Sequence, residues 1–247
     1  MDKMVHTSLR AMQGIMDRQQ AIAHNMANAD TTGFRAEIVT AQALYLAGEG
    51  LDSRATTNEV TLGADMNPGT LKSTGRPLDI AINGDALLAV QAPDGSEAYT
   101  RRGDLMISES GLLTTADGYP VMSDGGPITL PAADQVSISA DGAIAIIPPG
   151  GDPNQPQQVA RLKLASPAGS DIVKQNDALF HVRNGGVLPS DPDAKVTVGA
   201  LESSNVNMTQ ALVDMIEASR AWETQVKLLT TAQQLDDSGA SIMQLPS

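Results

Sequence analysis

The sequence of 247 residues contains no cysteine and only six aromatic residues, which are one Trp, three Tyr and two Phe. Without cysteine the chain has no disulfide, no iron–sulfur cluster, no thiolate zinc site and no cysteine nucleophile. So few aromatic rings argue against a sugar- or base-binding cleft, because stacked rings commonly line such clefts. Thiol chemistry is therefore excluded, and aromatic-lined ligand sites are disfavoured.

Positive charge is also scarce, with 16 Lys and Arg against 29 Asp and Glu and a net charge of −13. Binding of nucleic acid needs a dense basic patch, as does adsorption to anionic lipid, so we expect no nucleic-acid partner. The longest apolar runs, such as Ala143–Ile147, are far shorter than the roughly 20 residues of a membrane helix. No basic start with an apolar core follows Met1, so we expect no cleaved signal peptide.

Signatures of catalysis and of metal binding are missing as well. The three histidines, His6, His24 and His181, do not have the spacing of a zinc-protease helix motif. The Ser110-Gly111 step lacks the preceding glycine of a nucleophile elbow. The Asp-Gly steps recur without the period of a calcium-binding repeat, so turn chemistry accounts for them. We expect no catalytic residue, no metal, no cofactor and no small-molecule substrate.

The N-terminal segment predicts a helix followed by a turn. Apolar side chains recur there in steps of four and three, which is the spacing of one helix face. These side chains are Val5, Leu9, Met12, Met16, Ala23 and Met26. The turn formers Asp30-Thr31-Thr32-Gly33 predict that the helix ends near Asn28.

The C-terminal segment predicts a longer helix, which either Asn205 or Asn207 can cap. A heptad seam follows this helix. Its residues are Met208, Leu212, Met215, Ser219, Trp222, Val226 and Leu229. Because both terminal segments carry such seams, the sequence predicts that the two helices pair with each other, with copies of themselves, or both.

The middle of the chain is rich in glycine, proline and acidic residues. Short alternating apolar stretches are separated by tight-turn steps such as Asn83-Gly84 and Asp141-Gly142, which predicts about ten antiparallel strands. The predicted fold class is α+β, with long N- and C-terminal helices pairing as a coiled coil and a central antiparallel, mostly-β domain. The predicted divisions are a helical arm at 1–35, an extended connector at 36–70, the β domain at 71–202 and a second helical arm at 203–247 that packs with the first.

Two local strings are more specific than this periodicity. Residues 25–35 read Asn-Met-Ala-Asn-Ala-Asp-Thr-Thr-Gly-Phe-Arg, and residues 199–206 read Gly-Ala-Leu-Glu-Ser-Ser-Asn-Val. The segments that complete the pattern are Arg76–Ile82, Tyr99–Arg101, Gly111–Thr114 and Met215–Glu223. Over nearly its whole length the chain resembles the rod and hook proteins of bacterial flagella.

The resemblance implies an axial structural part of the flagellar basal body. Such parts are exported unfolded through the flagellar type III apparatus and stack helically in the periplasm. The implied partners are other rod proteins, copies of the same chain and the export apparatus. The length of the chain and the segment Gly125–Ile128 look most like a proximal-rod member of the family. A distal-rod member is the alternative. The N-terminal helix of distal-rod proteins usually carries a threonine-glycine-methionine stretch, which this chain lacks. Ala86-Leu87-Leu88 departs from the family pattern and leaves the packing beneath the first hairpin open.

These two strings and the C-terminal helix contain the residues that we predict for assembly. Gly33 and Asn28 can adopt positive φ and let the chain leave the helix sharply, which makes Phe34 an aromatic anchor beyond the turn. Glu202 lies where its charge meets the positive end of the returning helix, and Asn205 caps that helix. The full set is Asn25, Asn28, Thr32, Gly33, Phe34, Arg35, Leu201, Glu202, Ser204, Asn205, Val206, Leu212, Met215, Ile216, Arg220 and Trp222.

Two other classes of function stay open on the residues alone. A secreted β-rich enzyme that cleaves carbohydrate with two acidic residues fits the acidic composition, although the few aromatic rings count against a sugar cleft. A soluble β-domain adaptor with a dimeric coiled coil fits the helix seams. A torque-transmitting rod subunit is the first hypothesis, because it accounts for the ordered strings.

Overall fold

The computed structural model describes residues 2–45, 55–175 and 177–243. One helix lies near each end of the chain, and short strands occupy the part between them. The helices are α1 (Asp2–Ala27) and α2 (Met208–Met243). The strands are β1 (Glu37–Tyr45), β2 (Ala55–Ala64), β3 (Leu71–Ser73), β4 (Ile80–Ile82), β5 (Leu87–Gln91), β6 (Glu97–Thr100), β7 (Leu105–Ile107), β8 (Leu113–Thr115), β9 (Met122–Ser123), β10 (Gly126–Pro127), β11 (Gln135–Ile138), β12 (Ala143–Ile147), β13 (Gln157–Arg161), β14 (Leu164–Ala165), β15 (Ile172–Lys174), β16 (Phe180–Val182), β17 (Val196–Val198) and β18 (Ala200–Glu202).

These elements group into two compact units, each assembled from separate stretches of the chain. The helical unit comprises Met1–Ala27, Glu37–Gly63 and Asn207–Ser247, and the β unit comprises Asn28–Ala36 and Ala64–Val206. Helix α1 ends at Ala27, next to the predicted end of the N-terminal helix. Strands β1 and β2 form a two-stranded sheet of their own, within the interval for which an extended connector is predicted.

In the helical unit α1 and α2 pack against each other through one short apolar cluster. Its buried members are Ile22, Ala211 and Ala218, and Met26 and Met215 pack at its margin. Two helices with a strand-rich centre agree with the mixed α+β class. The predicted long coiled coil between the terminal helices was wrong, because the apolar packing between them is confined to this cluster among the residues that the structure describes.

The predicted seams fail because their residues are not buried along the helices. Leu212 and Val226 on α2 are 47% and 38% exposed, and Met16 on α1 is 55% exposed. A coiled coil places every seam position of one helix in a hole on the other, and polar residues interrupt these seams at Gln19 and Ser219. Regular spacing therefore marked an apolar face on each helix without specifying that the two faces meet.

The β unit consists of short strands in several small antiparallel sheets. The largest sheet has the strand order β14-β5-β6-β16-β15, and a second has the order β11-β12-β13. The other strands of the unit form two-stranded pairs, such as β4 with β17 and β3 with β18. The antiparallel pairing agrees with the sequence prediction. The strands are more numerous than the predicted ten because many contain only two or three residues.

Strand β5 is buried on both faces and separates two apolar clusters of the β unit. Leu88 and Val90 belong to the larger cluster, and Leu87 and Ala89 belong to the smaller one. Because successive side chains of a strand point to opposite faces, a strand buried on both sides needs a continuous apolar run. The departure from the family pattern at Ala86-Leu87-Leu88 therefore lies in fully buried core.

Strand β13 forms one edge of the three-stranded sheet and carries a bulge. Ala160 pairs with Ile144 and Gln158 pairs with Ala145, so Val159 is an extra residue in β13. A bulge bends and twists an edge strand, which hinders its pairing with a strand of another chain. The bulge therefore protects the β13 edge of this sheet.

Gly103 permits a close approach between two backbone segments of the β unit. The Ile80 amide donates to the Gly103 carbonyl at 2.9 Å, and a Cβ at residue 103 would lie 1.8 Å from the Ile80 carbonyl oxygen. We predict that Gly103→Ala lowers the free energy of unfolding by about 3 kcal/mol, because this backbone pairing must be distorted. Urea unfolding followed by circular dichroism measures the change.

Gly125→Ala is the matched control for this substitution. A Cβ at residue 125 would have the Ser123 hydroxyl, 3.8 Å away, as its nearest neighbour. We expect this variant to unfold within about 0.5 kcal/mol of the parent chain. Equal stability of the two variants would contradict the assigned close approach.

Candidate functional site

A buried carboxylate lies at the centre of the site, at the end of strand β18. The Glu202 side chain is 1% exposed, and its two oxygens have different partners. Oε2 accepts hydrogen bonds from Arg101 Nε (3.0 Å) and Nη2 (2.6 Å). Oε1 lies 2.8 Å from Arg35 Nη2 and accepts a hydrogen bond from the Gly69 amide, also at 2.8 Å. We call Glu202, Arg101, Arg35 and Gly69 the Glu202 junction.

Arg101 ties the junction to the turn between β4 and β5. Its Nη1 donates to the carbonyls of Gly84 (2.7 Å) and Ala86 (2.6 Å), and its Nη2 donates to the carbonyl of Ile82 (2.8 Å). Together with the bonds to Glu202, these contacts use all five N–H groups of the guanidinium. Arg101 is therefore a fully paired buried cation.

Arg35 enters the junction from the N-terminal part of the chain and is also buried. Its Nη1 donates to the Asn67 carbonyl, whereas its Nε has no hydrogen-bond partner. Burial lowers the pKa of the Arg35 guanidinium from its ordinary value and Arg101 lowers it further, while Glu202 opposes the shift. Without Glu202 the unit would hold two buried guanidinium groups and lack the one carboxylate that contacts both of them.

Gly33 fits a place that no side chain could occupy. Its φ is +66°, and a Cβ at residue 33 would lie 2.5 Å from the carbonyl carbon and oxygen of Arg101. Its amide donates to the Glu202 carbonyl at 2.7 Å. The predicted positive φ of Gly33 is confirmed. The same prediction was wrong for Asn28, which does not have a positive φ. Among the described residues, Ala178 is the residue other than glycine that does.

Asn28 instead closes the turn through its oxygen atoms. Its carbonyl accepts the Thr31 amide at 3.1 Å, and its side-chain Oδ1 accepts the Thr31 hydroxyl at 3.1 Å. Thr32 is half-buried within this turn. A side-chain and backbone pair of this kind is a common way for asparagine to stabilise a turn without a left-handed backbone.

Asn205 joins two segments of the β unit rather than capping a helix. Its Oδ1 accepts the Ala36 amide at 2.8 Å, and its Nδ2 donates to the carbonyls of Asp65 and Asn67, each at 2.9 Å. Its backbone amide donates to the Phe34 carbonyl at 3.3 Å. The prediction that Asn205 caps the returning helix was wrong, since its side-chain oxygen has a different partner.

The capping residue of α2 is Asn207, the other candidate from the sequence. Its Oδ1 accepts the Gln210 amide at 3.2 Å. The prediction that Glu202 interacts with the positive end of the helix was also wrong. Its two carboxylate oxygens bind Arg101 and the Gly69 amide instead. A sequence shows that a polar residue precedes a helix, but it does not show which long-range partner competes for that side chain.

Phe34 lies beyond the turn, as an aromatic residue buried within the β unit. The ammonium group of Lys174 lies 3.4 Å from the centre of its ring. The same Nζ donates to the Arg35 carbonyl at 3.0 Å. A cation over a ring face is attracted by the ring quadrupole, so Lys174 on β15 holds this segment through two kinds of contact.

In the helical unit Asn25 fastens the end of α1 to the start of β1. Its Nδ2 donates to the Glu37 carbonyl at 3.0 Å, and its Oδ1 accepts the Glu37 amide at 2.8 Å. His24 Nδ1 lies 2.8 Å from the Glu37 carboxylate. The side-chain amide of Asn25 thus pairs with both backbone groups of Glu37, as the backbone of a neighbouring strand would.

The other predicted residues are dispersed. Within the β unit, Leu201 and Val206 are half-buried, and Ser204 Oγ accepts the Val206 amide at 3.2 Å. Along α2, Met215 and Trp222 are half-buried, whereas Leu212, Ile216 and Arg220 are exposed. Within the β unit the structure therefore brings together Gly33, Phe34, Arg35, Glu202 and Asn205.

Sequence reasoning missed several partners of the junction, above all Arg101, Gly69 and Lys174. Arg101 belongs to one of the supporting strings and is followed by a second arginine, but neither feature distinguishes a buried arginine from an exposed one. Gly69 donates through its backbone, and a Cβ there would lie 1.9 Å from the Ser203 carbonyl oxygen. These contacts join residues more than 100 positions apart in the sequence.

The described residues contain neither a metal-binding cluster nor a membrane-spanning helix. No group of three or more His, Cys, Asp or Glu side chains among them is arranged to hold a metal ion. No helix within the same residues combines the length and hydropathy needed to cross a membrane.

Two protein-family models match the chain, and each contains part of the junction. Residues 197–242 match "Flagellar basal body rod FlgEFG protein C-terminal", and residues 81–146 match "Flagellar hook protein FlgE/F/G D1 domain". The flagellar basal-body rod protein FlgF of Salmonella typhimurium is 40% identical over 240 residues, which are 95% of this chain and 95% of that protein. The chain belongs to the flagellar basal-body rod protein family.

Other relatives agree with this assignment. FlgF of Escherichia coli K12 is 39% identical over 253 residues, covering 100% of this chain and 99% of that protein. The rod protein FlgG of Bacillus subtilis is 30% identical over 94% of this chain and 95% of that protein. The resemblance inferred from the sequence strings is confirmed, and the chain is a structural subunit of the flagellar basal-body rod.

Replacing the central carboxylate tests the junction of this rod subunit. Glu202→Gln retains the shape of the side chain but removes the charge that compensates the two buried guanidinium groups. We predict a loss of about 3–5 kcal/mol in the free energy of unfolding, which is typical when one partner of a buried ion pair is removed. Guanidinium-induced unfolding measures the loss.

The control is Glu109→Gln, which removes the same charge from an exposed position. We expect its stability to lie within about 0.5 kcal/mol of the parent chain. A Glu202→Gln chain as stable as this control would show that the junction contributes nothing to the fold.

Proposed function

We propose that this rod subunit belongs to the proximal rod, assembles helically through its terminal helices and transmits torque between neighbouring subunits. The observation that carries the proximal assignment is the identity of 40% and 39% to two FlgF proteins over nearly the whole chain. FlgG of Bacillus subtilis is 30% identical, which is below both of these values. The partners proposed are other rod proteins and copies of the same chain.

The exposed apolar side chains of the helical unit support assembly through the helices. Leu9 and Met16 on α1 and Leu212 and Ile216 on α2 each leave roughly half of their surface in solvent. Each pair is spaced so that its members share one helix face. Burying such side chains between subunits gives about 25 cal/mol for each Å² removed from water.

The Glu202 junction supports the proposed transmission of torque. A load that passes through the β unit meets a segment near its N-terminal end and a segment near its C-terminal end, and the junction joins these segments by buried ion pairs. A displacement at the junction would separate Glu202 from its buried arginines and leave charges unpaired in the interior, which is costly. Residues 71–202, the proposed independent domain within the β unit, then act as a rigid body.

We also propose that the chain is not an enzyme and uses no cofactor. It is delivered to the periplasm by the flagellar export apparatus without cleavage of a signal peptide. Export of an unfolded chain is compatible with the lack of cysteine, because no disulfide has to be kept open. The sixteen residues predicted for assembly remain the proposed assembly set, with Leu212 and Ile216 as its exposed apolar members.

A substitution in the exposed apolar face of α2 tests assembly without disturbing the fold. We predict that Leu212→Asp abolishes rod completion while the isolated chain keeps its stability within about 1 kcal/mol, since residue 212 is exposed in the single chain. At an apolar interface the carboxylate would be buried without a partner, which costs several kcal/mol per subunit. The measurement is motility of a deletion strain that carries the variant, with electron microscopy of its basal bodies.

Two further strains complete this experiment. Thr224→Asp introduces the same charge at an exposed polar position of the same helix and should restore swimming. The deletion strain without any plasmid should fail to swim and should lack complete rods. Complete rods in the deletion strain would overturn the proposed function, and equal assembly of the two Asp variants would overturn the assignment of the α2 face.

A further inference from the structure

The two oxygens of the Glu202 carboxylate bind parts of the β unit that differ in sequence position. Oε2 binds Arg101, so this contact lies within residues 71–202. Oε1 binds Arg35 and the Gly69 amide, which precede that range. We call residues 33–36 and 65–69 the strap. The carboxylate therefore has one oxygen for the body of the β unit and one for the strap.

The two arginines are paired to different degrees. Every N–H group of Arg101 has an acceptor, and three of its acceptors are carbonyls of the β4–β5 region. Arg35 is equally buried, but its Nε lacks an acceptor and the neighbouring Arg101 repels it. A buried donor without a partner retains its full desolvation penalty. The attachment of Arg35 is consequently weaker than that of Arg101.

Polar contacts fasten most of the strap, whose larger apolar side chains are the buried Phe34 and the half-buried Met66. Of the strap side chains, Met66 packs at the margin of the smaller apolar cluster, and the buried members of both clusters lie within residues 80–196. The strap is fastened by the Gly33 amide on the Glu202 carbonyl, by the Asn205 side chain and by Lys174 on Phe34. Its two pieces also bond to each other, since the Asp65 amide donates to the Ala36 carbonyl at 2.7 Å.

We propose that the strap docks on an already folded β domain in a separate step, with Glu202 Oε1 as its latch, and releases before that domain unfolds. Segments with few apolar contacts open at lower free energy than the core they lie on. Docking needs residues 33–36 and residues 202–205 together, so it is completed only when both ends of the β unit are present. In a subunit delivered unfolded, this dependence delays the positioning of the strap until Asn205 has arrived, a consequence that rests on the proposed function.

Hydrogen exchange in the full chain, measured by mass spectrometry, tests the proposal. The reporter segments are the strap peptides at 33–36 and 65–69 and the core peptide at 87–91. In the parent chain the strap amides should exchange at least about tenfold faster than the core amides. Arg35→Gln should accelerate exchange of the strap by at least a further tenfold and leave the core rate unchanged, whereas Arg101→Gln should accelerate both.

Two more variants complete the test. Asn205→Ala removes the bonds to Ala36, Asp65 and Asn67 without touching an arginine and should also accelerate the strap alone. Arg183→Gln breaks an exposed ion pair with Asp171 and should leave both segments unchanged. The proposal would be overturned if strap and core amides exchanged at the same rate in the parent chain. It would also be overturned if Arg35→Gln accelerated exchange of both segments, left the strap rate unchanged, or failed to fold. Since exchange is measured on the isolated chain, these outcomes are independent of whether the protein builds a proximal rod.

Discussion

The β unit depends on one buried carboxylate. Removing an ion from water costs several kcal/mol even after the protein relaxes, so a buried Glu202 is tolerated only with cations and hydrogen-bond donors around it. Arg101 and Arg35 supply the cations, and the Gly69 amide completes the shell of Oε1. The requirement is mutual, because two buried guanidinium groups without Glu202 would be more costly still. The turn at Gly33 and the bonds of Asn205 then act to bring Arg35 to this point.

This constraint gives the two sequence strings a physical meaning. The string at 25–35 supplies a turn, a glycine that can approach the Arg101 backbone, an aromatic ring and an arginine. The string at 199–206 supplies the carboxylate and the asparagine that receive them. Each string holds polar groups whose hydrogen-bond partners are distant in the sequence. Some of these partners lie in the other string, and some lie at or near Arg101. The structure shows the contact that requires both strings.

Several features of the fold could be predicted because they depend on neighbouring residues. Periodic apolar residues indicated both helices, and Asp-Gly or Asn-Gly steps indicated short antiparallel strands with tight turns. Positive φ at Gly33 followed from the turn in which it lies. Helix α2 begins after Asn207, one of two candidate caps, because capping is a local contact.

Features that depend on distant partners could not be predicted. Asn205 looked like a cap, but its side chain is engaged by Ala36, Asp65 and Asn67. The seams of α1 and α2 looked like a coiled coil, but spacing alone does not say what covers an apolar face, and Leu212 remains exposed. Arg101 carried no signal that separates a buried arginine from an exposed one. In each case local chemistry allowed several outcomes, and tertiary contacts selected one.

A double-mutant cycle on Arg101 and Glu202 tests most directly the claim that this ion pair supports the β unit. The free energy of unfolding is measured for the parent chain, Arg101→Gln, Glu202→Gln and the double variant, with Arg183→Gln combined with Glu202→Gln as the reference pair. We predict a coupling energy of about 1–3 kcal/mol for Arg101 and Glu202, and additivity within about 0.5 kcal/mol for the reference pair. Additive losses for Arg101 and Glu202 would contradict the account.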